Sequence, residues 1–163
     1  MSEPSERRSI IRHGFIVLLI AFGLGFGIIS GGPQARGWMA THLTAMLAAS
    51  FMILVGLVWS HLTLSRRQRA LLRFAVVFNG YWGVAGGAFA TIFGIPGPVT
   101  GGGAHPSGWP ATVFFTVFIP VITILPFLFA GLVLYGLRGP EPTHVDGRSP
   151  AEVERVRGTS HPV

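Results

Sequence analysis

From Phe74 to Leu137 the chain carries no Asp, Glu, Lys or Arg. Soluble domains average about 25% charged residues. A neutral run of this length therefore points to a solvent other than water. Two more long apolar stretches precede it, and the charges fall between the stretches. Four segments are long enough to cross ~30 Å of hydrocarbon, which takes about 20 residues. They are residues 14–31, 38–62, 71–93 and 111–137. Backbone groups in lipid must be paired internally, and no alternation of period two is present, so the segments are helices and not barrel strands. The expected fold is all-α: a polytopic membrane four-helix bundle over residues 13–138.

The charges orient this bundle. The 12 basic residues are all Arg. They gather at Arg7, Arg8 and Arg12, at Arg66, Arg67, Arg69 and Arg73, and along the C-terminal segment, with Arg36 alone on the other side. Arg retained on one side marks the cytoplasmic face. Both termini are therefore expected in the cytoplasm of a bacterial cell, with the bundle in its inner membrane. The net charge of +6 is a property of these flanks. Nucleic-acid binding would need Arg spread over one surface, so no nucleic-acid partner is expected. No small-residue cleavage pattern follows the first apolar run, so it reads as a retained helix and not a signal peptide.

Residues 1–12 and 139–163 are rich in Pro, Ser, Arg and Glu, and are expected to be mobile tails. Residues 94–110 hold a Gly/Pro-rich outer loop, either a plain connector or a lid. Gly23 and Gly27, and Gly83 and Gly87, sit four apart on the first and third helices, as small residues do where membrane helices approach closely. Pro120 and Pro126 should bend the fourth helix.

No Asp or Glu lies in a span, which argues against a proton-coupled pump. Cys is absent, so there is no thiolate chemistry. Among the few polar residues at membrane depth, His42 is the most informative. An intramembrane His is costly without a bonding partner or a metal, and imidazole is the common protein ligand of haem iron. An interfacial His wetted by outer water remains the alternative at this point. Zinc would need His42, His105 and a third donor, and the outer side offers no carboxylate or Cys. A two-His electron carrier would need facing His pairs, but His42 and His61 lie about 28 Å apart along one helix. Tyr81 and Asn79 can hydrogen-bond a substrate in a dry pocket. Arg36 is suited to a haem propionate, because Arg binds carboxylates in a bidentate way.

Three segments carry a resemblance. They are Gly37-Trp38-Met39-Ala40-Thr41-His42, the run from Gly56 to Ser65, and Phe78-Asn79-Gly80-Tyr81-Trp82-Gly83. With the loop around Gly103 to Gly108, they resemble the small four-helix membrane isomerases that include hydroxylaminobenzene mutase and styrene oxide isomerase. The resemblance implies haem b held by His42, a homotrimer with haem between subunits, and redox-neutral rearrangement of a small aromatic epoxide or hydroxylamine. Tyr81 and Asn79 would then orient the substrate. The chain departs from the family pattern at Leu43, Ala48 and Gly83, where that pattern has polar groups. Two other readings stand beside it: a non-catalytic haem or electron-transfer subunit, and a cofactor-free membrane partner protein.

Overall fold

A computed structural model describes residues 3–30, 32–95 and 107–138. Four long helices, all long and apolar enough to cross a membrane, make up nearly all of it: α1 (Glu3–Ile29), α2 (Ala35–Val58, ending in a 3₁₀ turn Trp59–His61), α3 (Arg66–Ile92) and α4 (Trp109–Gly136). No strand occurs among the described residues, and the all-α four-helix fold stands.

The helix ends depart from the sequence expectation in one place above all. The first helix was expected to begin near residue 14, after a tail, and instead starts at Glu3. Pro4 suits a first helical turn, and an acidic residue there complements the positive end of the helix dipole; Glu6 supplies one. The exposed Arg7, Arg8 and Arg12 carry α1 beyond the apolar segment. The fourth helix begins at Trp109, two residues inside the expected loop. The loop and tail expected at 94–110 and 139–163 lie largely outside the described residues.

Local signals set the boundaries of α3. Ser65 and Gln68 form a reciprocal capping box at its start, which satisfies two otherwise unpaired N–H groups. At its end Gly94 takes φ +63°. The Gly94 N–H donates to the Thr91 carbonyl and the Ile95 N–H to that of Ala90. This is a Schellman stop, with buried Ile95 packed beside Ala90. In α4 the helix runs through both Pro120 and Pro126. The local adjustment is a π-helical stretch, Phe114–Phe118, just before Pro120. The proline ring would clash with the carbonyl four residues back, that of Thr116, and a wider turn relieves the clash.

The bundle is built around α2 and α3. α1 lies along α2 and touches α3; α4 packs chiefly on α3. The core runs through Ile10, Val17, Ala45, Ala49, Met52, Trp59 and Leu72. Opposite it, apolar side chains face outward; Phe26 and Phe127 are 73% and 77% exposed. Apolar exposure on every helix is the pattern that lipid covers. At the Arg-rich end, the Thr63 N–H and hydroxyl both donate to the Gly136 carbonyl at 2.9 and 2.8 Å. That contact ties the last turn of α4 to the α2–α3 connection. Along α3 and α4 the rings of Phe74, Phe78, Trp82, Phe118 and Phe89 stack successively, with centroids 4.9–5.3 Å apart.

The expected glycine pairs divide. Gly27 meets the Trp38 ring, while Gly23 faces open space. Gly87 meets Thr41, and Gly83 has only an ordinary contact with Thr44. Gly80 against Met52 and Gly56 against Ile11 are tighter still, but one arrangement is reciprocal. Thr41 lies over Gly87 and Thr91 over Gly37; a β-carbon on either glycine would come within 2.9 Å of the opposing threonine. The two hydroxyl oxygens lie 3.1 Å apart, and each lies 2.9 Å from the carbonyl four residues back; with one proton apiece, one hydroxyl donates to its carbonyl while the other donates across the pair or to its own carbonyl.

Filling this clasp should be costly. Gly87→Val should destabilise the protein by about 1–3 kcal/mol through overpacking. Thr91→Ser, which keeps the hydroxyl, should cost less than about 1 kcal/mol. Thermal unfolding in detergent measures both.

Candidate functional site

His42 sits two turns into α2, next to the buried Thr41 of the clasp. Its neighbour is therefore fixed on α3, while its own ring turns toward α1. There His42 Nδ1 lies 2.7 Å from the Ala21 carbonyl. A carbonyl can only accept, so Nδ1 carries the proton and donates it. In the neutral ring the lone pair is then on Nε2. Ala21 is fully buried at this approach, and Gly25 of α1 faces the ring, where a β-carbon would make an ordinary contact at 3.9 Å.

This geometry is that of a metal-ligating histidine, whose second ring nitrogen is usually held by a carboxylate or backbone carbonyl. It fits a haem. The iron needs a single protein ligand, and no group of three or more His, Asp or Glu that could hold a bare metal ion exists among the described residues. His105, needed for the zinc alternative, lies outside them. Arg36 is exposed at the first turn of α2. It precedes His42 by six residues, so it stands about 9 Å along the axis and about 120° around it.

Tyr81 is placed elsewhere. Its hydroxyl lies 3.1 Å from His13 Nδ1 on α1, and the two rings meet edge to face at 5.8 Å. His42 and Tyr81 thus touch α1 at Ala21 and His13, eight residues or about 12 Å apart. Asn79 is two residues before Tyr81, so it points about 160° away around α3. Its buried Oδ1 has no hydrogen-bond partner among the described residues. An unpartnered buried carbonyl oxygen is costly and is free to accept from a bound molecule. Within one copy of the chain, then, the structure does not bring His42, Tyr81 and Asn79 to one point.

The model of the styrene oxide isomerase family matches residues 6–138, the whole four-helix region. The chain belongs to the styrene oxide isomerase family. No curated protein and no solved structure matches it. For a styrene oxide isomerase family member, the departures noted in the sequence have structural counterparts. Gly83 is buried against α2 near Thr44. Ala48 packs against the core. Leu43 is exposed on the outer face of α2.

Two features escaped sequence reasoning. The threonine clasp had a visible signal, since Gly37 to Thr41 and Gly87 to Thr91 share one spacing. The His13–Tyr81 pair had none, because it joins residues 68 apart in the chain. Breaking that pair with Tyr81→Phe should cost about 0.5–1.5 kcal/mol, the worth of one hydrogen bond. Thermal unfolding of Tyr81→Phe and of the double variant with His13→Phe would show it. The second substitution should add less than it costs alone, since the two share one interaction.

Proposed function

We propose that the protein is a haem b-dependent isomerase of the membrane, of the hydroxylaminobenzene mutase type. It rearranges small aromatic epoxides or hydroxylamines with no net oxidation. The observation that carries this reading is the His42 ring, held through Nδ1 with its Nε2 lone pair left for a metal.

His42 would hold the haem, and Arg36 would pair with a propionate as a bidentate donor. The bound iron supplies a Lewis acid for the epoxide or hydroxylamine oxygen. The chain supplies the dry surroundings: Leu24 and Met46 are partly buried against the core near His42, and no acidic or basic side chain lies beside them. Excluding water favours migration within the substrate over hydrolysis. Tyr81 can donate a hydrogen bond to a substrate oxygen, and the unpartnered Asn79 Oδ1 can accept one from an N–H or O–H. Because they face different sides of α3, a small substrate in one copy meets one of them at a time. In the same reading the protein is a homotrimer in a bacterial inner membrane, with both termini in the cytoplasm.

The test is haem retention. Detergent-purified protein should show a strong Soret band with an open coordination position. His42→Ala should lose the band and all turnover of aryl epoxides and hydroxylaminoarenes. Its unfolding midpoint in the absence of haem should fall only by the few degrees that about 1 kcal/mol corresponds to. A His42→Ala protein that keeps its full haem would overturn the assignment. A wild-type protein that stays colourless after haem is added would overturn the cofactor.

A further inference from the structure

A cleft of about 470 Å³ opens between α1 and α3 toward the Arg-rich end, away from His42. That volume is within the range of small-molecule pockets, about 300–1,000 Å³. Phe74, Val77 and Phe78 of α3 line it. The two phenylalanine rings stack on each other, 15° apart with centroids at 5.3 Å, which makes this side of the cleft aromatic. Its rim carries one acid and one base, Glu6 and Arg73; Arg73 is already engaged. At its deep end lie His13 and Tyr81, joined to each other and only partly buried. From rim to floor is seven residues on α1 and eight on α3, about 10–12 Å.

The floor decides what fits. A lipid acyl chain entering from the rim would set its methyl end on a polar pair, leaving that pair's remaining hydrogen-bonding capacity unused. The pair itself is adaptable. When Tyr81 donates to His13 Nδ1, the phenol oxygen can still accept from a ligand. When His13 Nδ1–H donates to the phenol oxygen, the Tyr81 hydroxyl hydrogen is free to donate. A hydroxyl or a carbonyl is therefore satisfied in one tautomer or the other.

We propose that this cleft is a second small-molecule site, which takes a small aryl compound head-first, its single hydroxyl or carbonyl on the His13–Tyr81 pair. It rests on the place of Tyr81 in the cleft and not on the haem.

Photolabelling tests it. The probe is an aryl trifluoromethyl diazirine bearing a hydroxymethyl group, applied to the detergent-purified full chain and mapped by peptide mass spectrometry. The label should concentrate between Phe74 and Tyr81. para-Ethylphenol should suppress it about fivefold more effectively than ethylbenzene, the worth of one hydrogen bond. Tyr81→Phe should erase that difference while the protein keeps its unfolding transition, and Val77→Phe, which narrows the cleft, should reduce the labelling itself. His42→Ala should leave the labelling unchanged, which separates this site from the haem assignment. Label spread evenly over the outward-facing Phe15, Phe22 and Phe127, or equal suppression by the two competitors, would overturn the proposal.

Discussion

Everything in this bundle depends on how closely α2 can approach its two neighbours. On the α1 side close approach is made by Gly14, by Gly56 against Ile11 and by Gly27 beneath the Trp38 ring, and on the α3 side by Gly80 against Met52 and by Gly37 and Gly87 beneath the two threonines. In a bilayer, association of helices gains little from the hydrophobic effect, because lipid tails are as apolar as the side chains. Close contact and interhelical hydrogen bonds supply the specificity instead. The threonine clasp provides both at one level of the bundle. It fixes the rotation of α2, and that rotation aims His42 at the Ala21 carbonyl.

The consequence for chemistry follows from a single hydrogen bond. An imidazole at this depth with both nitrogens free could adopt either tautomer. A backbone carbonyl at 2.7 Å removes the choice and leaves one nitrogen for a metal. No Asp or Glu occurs between Arg7 and Pro140, so under the proposed function no carboxylate competes with the substrate oxygen for the Lewis acid. Tyr81 and Asn79 lie at other positions around α3. The polar resources of the chain are thus spread over three places and not gathered in one cradle.

Much of the fold was legible in the sequence because hydropathy is a sum over many residues. The four spans could be read to within a few residues at most ends. The start of α1 could not, since a polar Arg-rich stretch is equally compatible with a tail or with a helix continuing into water. The site was legible in part. His42 stood out through the cost of placing an imidazole at membrane depth. Its partner did not, because a backbone carbonyl has no sequence signature. Gly23 and Gly27 share one spacing, yet only Gly27 meets a neighbouring helix; which glycine is used depends on the rotation of α1. His13 and Tyr81 belong to helices whose meeting is a property of the assembled bundle alone.

The central claim is that His42 is held as a ligand-ready tautomer. Nitrogen-15 NMR of the histidine-labelled protein in lipid measures this directly. The account predicts that the His42 ring, assigned by its loss in His42→Ala, is protonated at Nδ1 and unprotonated at Nε2. It predicts further that ferric haem broadens the Nε2 resonance beyond detection while the His61 resonances persist. A His42 ring protonated at Nε2, with signals that survive the addition of haem, would contradict it.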